Sequence, residues 1–205
     1  MSTSEGYTRI KLCGLCRLQD VMAANQARPD YVGFVVNVPK SRRSVSSGEL
    51  ISLSSQVVTG IKRVGVFVDE PMEVVASLYA QGTIDVAQLH GSEDEEYIGR
   101  LRALCDVPIV QAFCVHGPHD VAKAHASTAD LVLLDSGQGT GETFDWSLVK
   151  MVERPFVLAG GLGPHNVTDA VAAVHPWGVD MSSGLETNGL KDPSKMAAAV
   201  AAIRK

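Results

Sequence analysis

FVLAGGLGPHNVTDAVAAVHPWGVDMSSG, residues 156–184, is the stretch on which the fold turns. Phe156–Ala159 is an apolar run that stops on Gly160 and Gly161. Asn166 to Val174 follows at helical spacing, and Gly178–Met181 is a second short run, which stops on Ser182-Ser183-Gly184. Strand, glycine turn, helix, strand and glycine turn in that order make a βαβ unit. The same unit recurs upstream, with candidate strands at Ile10–Cys13, Tyr31–Val36, Arg63–Val68, Val86–Leu89, Ile109–Cys114 and Leu131–Asp135. Candidate helices fall at Asp20–Ala27, Ser47–Gln56, Pro71–Ala80, Glu93–Leu104, Asp120–Ala126, Trp146–Val152 and Pro193–Ile203. Acidic residues cluster at several of these starts, and Pro71 and Pro193 follow acidic residues, as the positive end of a helix dipole prefers.

Most of the strands are apolar throughout rather than alternating, which predicts a parallel sheet covered on both faces. Eight strand–helix repeats predict an α/β protein of the (β/α)8 TIM-barrel class, with residues 1–205 forming a single catalytic domain with short loops. An open doubly wound sheet is the competing fold. No Rossmann or Walker glycine pattern supports it.

Composition narrows the function. A formal charge of −5 and a pI near 5.6 give no general attraction to nucleic acid or to an anionic membrane, so any anion site must be local. Met1 to Tyr7 is polar and carries no signal-peptide pattern, and no run is long and apolar enough to span a bilayer. A cytoplasmic location is expected. The four cysteines are too few and too scattered for a disulfide framework. Cys105 and Cys114 stand in apolar stretches and are expected to be buried, inert thiols.

In a barrel, reactive residues gather where strands end. Cys13 closes the first strand, Arg43 lies after the second, His90 follows the fourth and Asp135 closes the sixth. Asp180 lies in the eighth, just before Ser182. The turns Gly160-Gly161-Leu162 and Ser182-Ser183-Gly184 end adjacent strands, where glycines let backbone N–H groups approach an anion. Together they predict a phosphorylated small-molecule ligand.

Beyond these features, the chain resembles the phosphoribosylanthranilate isomerase family of tryptophan biosynthesis. The likeness is carried by Lys11-Leu12-Cys13-Gly14-Leu15, Gly33-Phe34-Val35 with Ser41-Arg42-Arg43, Val64-Gly65-Val66-Phe67-Val68 and Gln88-Leu89-His90-Gly91. It continues through Leu133-Leu134-Asp135, Gly139-Thr140-Gly141, Phe144-Asp145-Trp146 and Leu158-Ala159-Gly160-Gly161-Leu162, and then from Gly178 to Glu186 and from Gly189 to Asp192. The resemblance implies an Amadori rearrangement of N-(5'-phosphoribosyl)anthranilate, with Asp135 as general acid and Cys13 as general base. It implies Arg43 on the anthranilate carboxylate, Gln88, His90 and Asp180 as substrate contacts, and no cofactor or metal. Association with other enzymes of the tryptophan pathway remains open.

Departures from the family pattern are Cys16, Gln138 and Glu142, the last two in the sixth loop. Cys13 and Cys16 also suggest a redox or zinc pair, although no second pair accompanies them. Two rival functions stand beside the isomerase. One is a non-catalytic phosphosugar-binding barrel. The other is a bifunctional isomerase also acting in histidine biosynthesis, against which Cys13 and Cys114 count, since such enzymes usually carry aspartates at those two strand ends.

Overall fold

The computed structural model describes residues 7–135 and 146–204, and the expectations for Gln138, Glu142 and the rest of the sixth loop fall outside them. The barrel strands are β1 (Arg9–Cys13), β2 (Tyr31–Val36), β3 (Lys62–Phe67), β4 (Val86–Leu89), β5 (Ile109–Cys114), β6 (Leu131–Asp135), β7 (Phe156–Ala159) and β8 (Gly178–Met181). All pair parallel with their sequence neighbours, and β1 pairs with both β2 and β8, which closes the barrel. The helices are α1 (Leu18–Ala27), α2 (Ser47–Ser54), α3 (Met72–Ala80), α4 (Glu95–Leu104), α5 (Pro118–Ala126), α6 (Trp146–Val149), α7 (Val167–Val174) and α8 (Pro193–Ile203).

Strand parity divides the core in two. Leu12, Phe34, Phe67, Leu89, Ile109, Leu134, Leu158 and Met181 face outward and pack with the helices in one apolar annulus. Alternate residues face inward, where Val64 and Val66 join Cys13, and Leu131 and Leu133 join Val157 and Ala159. Burying both faces is why the runs read as continuously apolar, and each fully buried Leu or Phe contributes about 1.5–3 kcal/mol.

Two helix starts, those of α1 and α5, differ from expectation for one shared reason. Asp20 accepts hydrogen bonds from the backbone N–H groups of Cys16 and Arg17, and Asp120 accepts from His116 and Gly117. Both carboxylates therefore reach back from the third helical position, so α1 and α5 begin two residues before them. Pro71 and Asn166 are caps rather than first residues of α3 and α7. Glu93 is withdrawn from α4, because its carboxylate accepts from Asp69 N–H and Gly91 N–H, and Asp94 caps that helix instead. Strand β3 lies one residue earlier than expected, since Asp69 turns to a φ of 53° and Val68 is released to the surface. At their C-termini, α2 ends at Ser54 and α6 at Val149, where Val57 and Val152 close tighter turns onto Ser54 and Val149.

The underside of the barrel is closed by aromatic and ionic contacts. The Arg9 guanidinium lies 4.4 Å over the Trp177 ring, which packs on Tyr31. Tyr7 and Arg204 meet at the same end: both bond the Asp30 carboxylate, and the Arg204 guanidinium stacks 4.6 Å over the Tyr7 ring. No helix among the described residues is long and apolar enough to cross a membrane.

Candidate active site

At the opposite end, where the strands finish, lies an open cavity of about 520 Å³. Every candidate site residue from the sequence lines it except Gly184, including Cys13 and Asp135 from nearly opposite strands. Gly184 acts on its shape. A Cβ there would sit 2.1 Å from the carbonyl oxygen of Leu162, so the turns after β7 and β8 touch only because residue 184 has no side chain. Gly160 and Gly161 adopt φ values of 93° and 62°, a left-handed backbone suited to glycine. Asn166 fastens the first of these turns, accepting from Gly163 N–H at 2.8 Å and donating to the Gly161 carbonyl at 3.1 Å.

The polar floor of the cavity is organised by a residue that sequence reasoning quoted but gave no role. Lys11 is 7% exposed, and its ammonium donates to Gln88 Oε1 at 2.7 Å, Asp180 Oδ2 at 2.8 Å and Cys13 Sγ at 3.2 Å. Burial alone pushes that ammonium down, but Asp180 and Cys13 outweigh it and leave Lys11 above its ordinary value. Strand parity was the signal available, because Lys11 stands two residues before Cys13 and so faces the same way. The second oxygen of Asp180, Oδ1, is buried and has no hydrogen-bond partner among the described residues.

The protonation of Cys13 differs from what a resident base suggests. Burial pushes its thiol up, Asp180 adds to that, and Lys11 and Lys191 oppose without reversing it. Burial and Asp180 thus favour the protonated sulfur at neutral pH. Across the cavity, Gln88 Nε2 lies 3.0 Å from His90 Nδ1, and His90 Nε2 lies 4.0 Å from Asp135 Oδ2. Cys114 corrects the expectation of a buried inert thiol. It is exposed at the end of β5, in register with Asp135, and its sulfur lies 3.1 Å from His116 Nε2. Strand alternation turns it to the cavity despite its apolar neighbours.

Arg43 lines the cavity, whereas its neighbour Arg42 is mostly exposed and is not among the lining residues. Both hold Glu186, Arg43 through Nε at 2.6 Å and Nη2 at 3.1 Å. Glu186 also accepts from Lys191 Nζ at 2.9 Å, across the short antiparallel pair Glu186–Thr187 and Leu190–Lys191. The same ammonium donates to the Ser182 carbonyl oxygen at 2.9 Å and lies 3.3 Å from its hydroxyl. Burial raises the Glu186 carboxyl, yet Arg43 and Lys191 overcome it and hold it below the ordinary carboxylate value. Glu186 and Lys191 thus tie the arginine end of the site to the last turn, and local sequence pattern gives no sign of either role. Among the described residues, no group of three or more His, Cys, Asp or Glu side chains could hold a metal ion, and all four cysteines are free thiols.

Comparison with known proteins places this geometry in a family. A family model described as N-(5'phosphoribosyl)anthranilate (PRA) isomerase matches residues 10–202. An N-(5'-phosphoribosyl)anthranilate isomerase of Endomicrobium trichonymphae is 41% identical over 201 residues, covering 96% of this chain and 98% of that one. The crystal structure of phosphoribosyl anthranilate isomerase from Thermotoga maritima superposes with a TM-score of 0.86 at 32% identity, covering 96% and 98% of the two chains. A second solved isomerase, in complex with reduced 1-(o-carboxyphenylamino)-1-deoxyribulose 5-phosphate, gives a TM-score of 0.84 at 32% identity with the same coverage. With a closed eight-stranded barrel and a match that runs almost from end to end, the chain belongs to the N-(5'-phosphoribosyl)anthranilate isomerase family.

Proposed function

We propose that this enzyme isomerises N-(5'-phosphoribosyl)anthranilate to 1-(o-carboxyphenylamino)-1-deoxyribulose 5-phosphate in tryptophan biosynthesis, with Asp135 as general acid and Cys13 as general base. Family membership carries the reaction. The observation that carries the residue roles is that a thiol and a carboxyl remote in sequence face one cavity, beside two touching glycine turns.

The substrate phosphate lies against the turns Gly160-Gly161-Leu162 and Ser182-Ser183-Gly184, and Arg43, braced by Glu186, holds the anthranilate carboxylate. Asp135 protonates the ribose ring oxygen, the C1–O bond breaks, and the nitrogen lone pair forms the C1=N iminium. Cys13 then removes the C2 proton, whose bonding pair becomes the C1=C2 double bond while the C=N pair returns to nitrogen. The enolamine formed tautomerises to the 2-ketone. Because the iminium is cationic, it offsets the burial that favours the Cys13 thiol, whose own proton passes to solvent through the open cavity, so the thiolate is the form that takes the C2 proton. Asp180 Oδ1, buried and unsatisfied, accepts a hydrogen bond from a sugar hydroxyl, and His90 and Gln88 complete the wall. C2 is oxidised and C1 reduced within the same substrate molecule, so no external redox cofactor is called for.

We read the enzyme further as a cytoplasmic single-domain barrel whose partner is the phosphorylated substrate. The bifunctional alternative meets Cys13 and Cys114 at the ends of β1 and β5 in place of an aspartate pair. The test is the decay of phosphoribosylanthranilate fluorescence on adding protein. Asp135→Asn and Cys13→Ala should each lower kcat by about two to four decades, with inhibition by inorganic phosphate retained. A native protein without that decay refutes the reaction, and a variant with full kcat refutes the role of the residue it replaces.

A further inference from the structure

Lys11 lies beneath the cavity, and its three ammonium hydrogens meet three acceptors: Asp180 Oδ2, Gln88 Oε1 and Cys13 Sγ. Gly33 makes the room. A Cβ at that position would stand 2.7 Å from Cys13 Sγ and 2.8 Å from Lys11 Cε. An ammonium only donates, so it dictates which end of the Gln88 amide faces it. The oxygen must turn toward Lys11, and the amide nitrogen is left pointing at His90 Nδ1, 3.0 Å away. A ring nitrogen that receives an N–H carries no proton of its own. The proton of the neutral imidazole therefore sits on Nε2, the nitrogen 4.0 Å from Asp135 Oδ2.

We propose that Lys11 is a positioning residue for both halves of the acid–base pair: it holds the sulfur of Cys13 directly and, through Gln88, fixes the His90 ring with its Nε2–H toward Asp135. The consequence for turnover rests on the roles given above to Cys13 and Asp135. The tautomer does not. Hydrogen bonds run from the Lys11 ammonium to Cys13 on one side and through Gln88 to His90 on the other, and the far nitrogen of that ring stands 4.0 Å from Asp135 Oδ2.

Nitrogen NMR of protein labelled with 15N-histidine reads the tautomer directly, with His90 assigned by the signal lost in His90→Asn. The native protein, at a pH where the ring is neutral, is expected to show Nε2–H and a bare Nδ1. Gln88→Glu is isosteric and keeps an oxygen for Lys11, but it turns an acceptor toward His90. Its ring is therefore expected to carry a proton on Nδ1, alone or as the imidazolium. Lys11→Met frees the Gln88 amide and is expected to give a mixture of tautomers, with kcat lowered about 10²-fold and KM little changed. That variant leaves Asp180 buried without its cation and can fail to fold, so Gln88→Glu decides the matter. A native ring protonated on Nδ1, or a bare Nδ1 that persists in Gln88→Glu, overturns the proposal whether or not the enzyme turns over. A native Nε2–H that shifts in Gln88→Glu upholds it, and it does so even in a protein that leaves phosphoribosylanthranilate untouched, where only the reading of the reaction fails.

Discussion

Replacing Gly184 by alanine adds one methyl group where the turns after β7 and β8 touch. The new carbon would lie 2.1 Å from Leu162 O, 2.9 Å from Leu162 C and 3.0 Å from Gly163 Cα, all backbone atoms with no rotamer to escape into. Restoring an ordinary contact of 3.4 Å to that oxygen separates the turns by about 1.3 Å. Displacements of about 1 Å in a positioned site cost on the order of 10²-fold in activity. Overpacking itself costs about 1–3 kcal/mol, which for a chain of this size lowers Tm by roughly 2–12 °C. The expected result is a large rise in KM for the phosphorylated substrate and a matching loss of inhibition by inorganic phosphate, read by the fluorescence assay. Gly99→Ala is the control, since a Cβ in that position meets nothing within 4 Å. Gly184→Ala with a lowered Tm but unchanged KM and phosphate inhibition would show that the contact serves stability alone, and the phosphate assignment would fall.

Arg43→Ala should raise KM more than it lowers kcat, and an unchanged KM removes its carboxylate role. The pH profile of Cys13 alkylation by iodoacetamide should have its midpoint above the ordinary thiol value of 9.0, because burial and Asp180 favour the protonated sulfur. Asp180→Asn should bring that midpoint down, and a native midpoint below 9.0 contradicts the account. Glu186 is held below its ordinary 4.5 in the folded state, so its contribution to stability is present above that value and lost as pH falls through the lowered one. Native Tm should therefore drop more steeply than that of Glu186→Gln on acidification below about pH 5, and parallel curves would dismiss the clamp.

The barrel was legible because continuous apolar runs and glycine turns repeat at a regular interval, and both follow from burying a parallel strand on two faces. Cys13 and Asp135 were legible as strand ends, though their roles came from the resemblance alone. Helix starts were misjudged by a residue or two wherever an acidic side chain reached backward, since Asp20 and Asp120 mark the third position and not the first. Cys114 was misread because apolar neighbours in sequence are not neighbours in space: in a strand, every second residue has a different environment. Lys11 obeyed that same parity and could have been found by applying it. Glu186 and Lys191 could not, because their partners Arg43 and Ser182 are assembled by tertiary contacts that no local pattern encodes.

Tyr7 and Arg204 share the Asp30 carboxylate on the underside, so the chain enters and leaves the barrel at the end remote from the cavity. A protein fused, or a surface tethered, ahead of Tyr7 or after Arg204 departs from the face opposite the cavity mouth. Tyr7 and Arg204 also lie near enough for a short peptide to join them, which makes the barrel a candidate for circular permutation with new termini opened in an exposed loop.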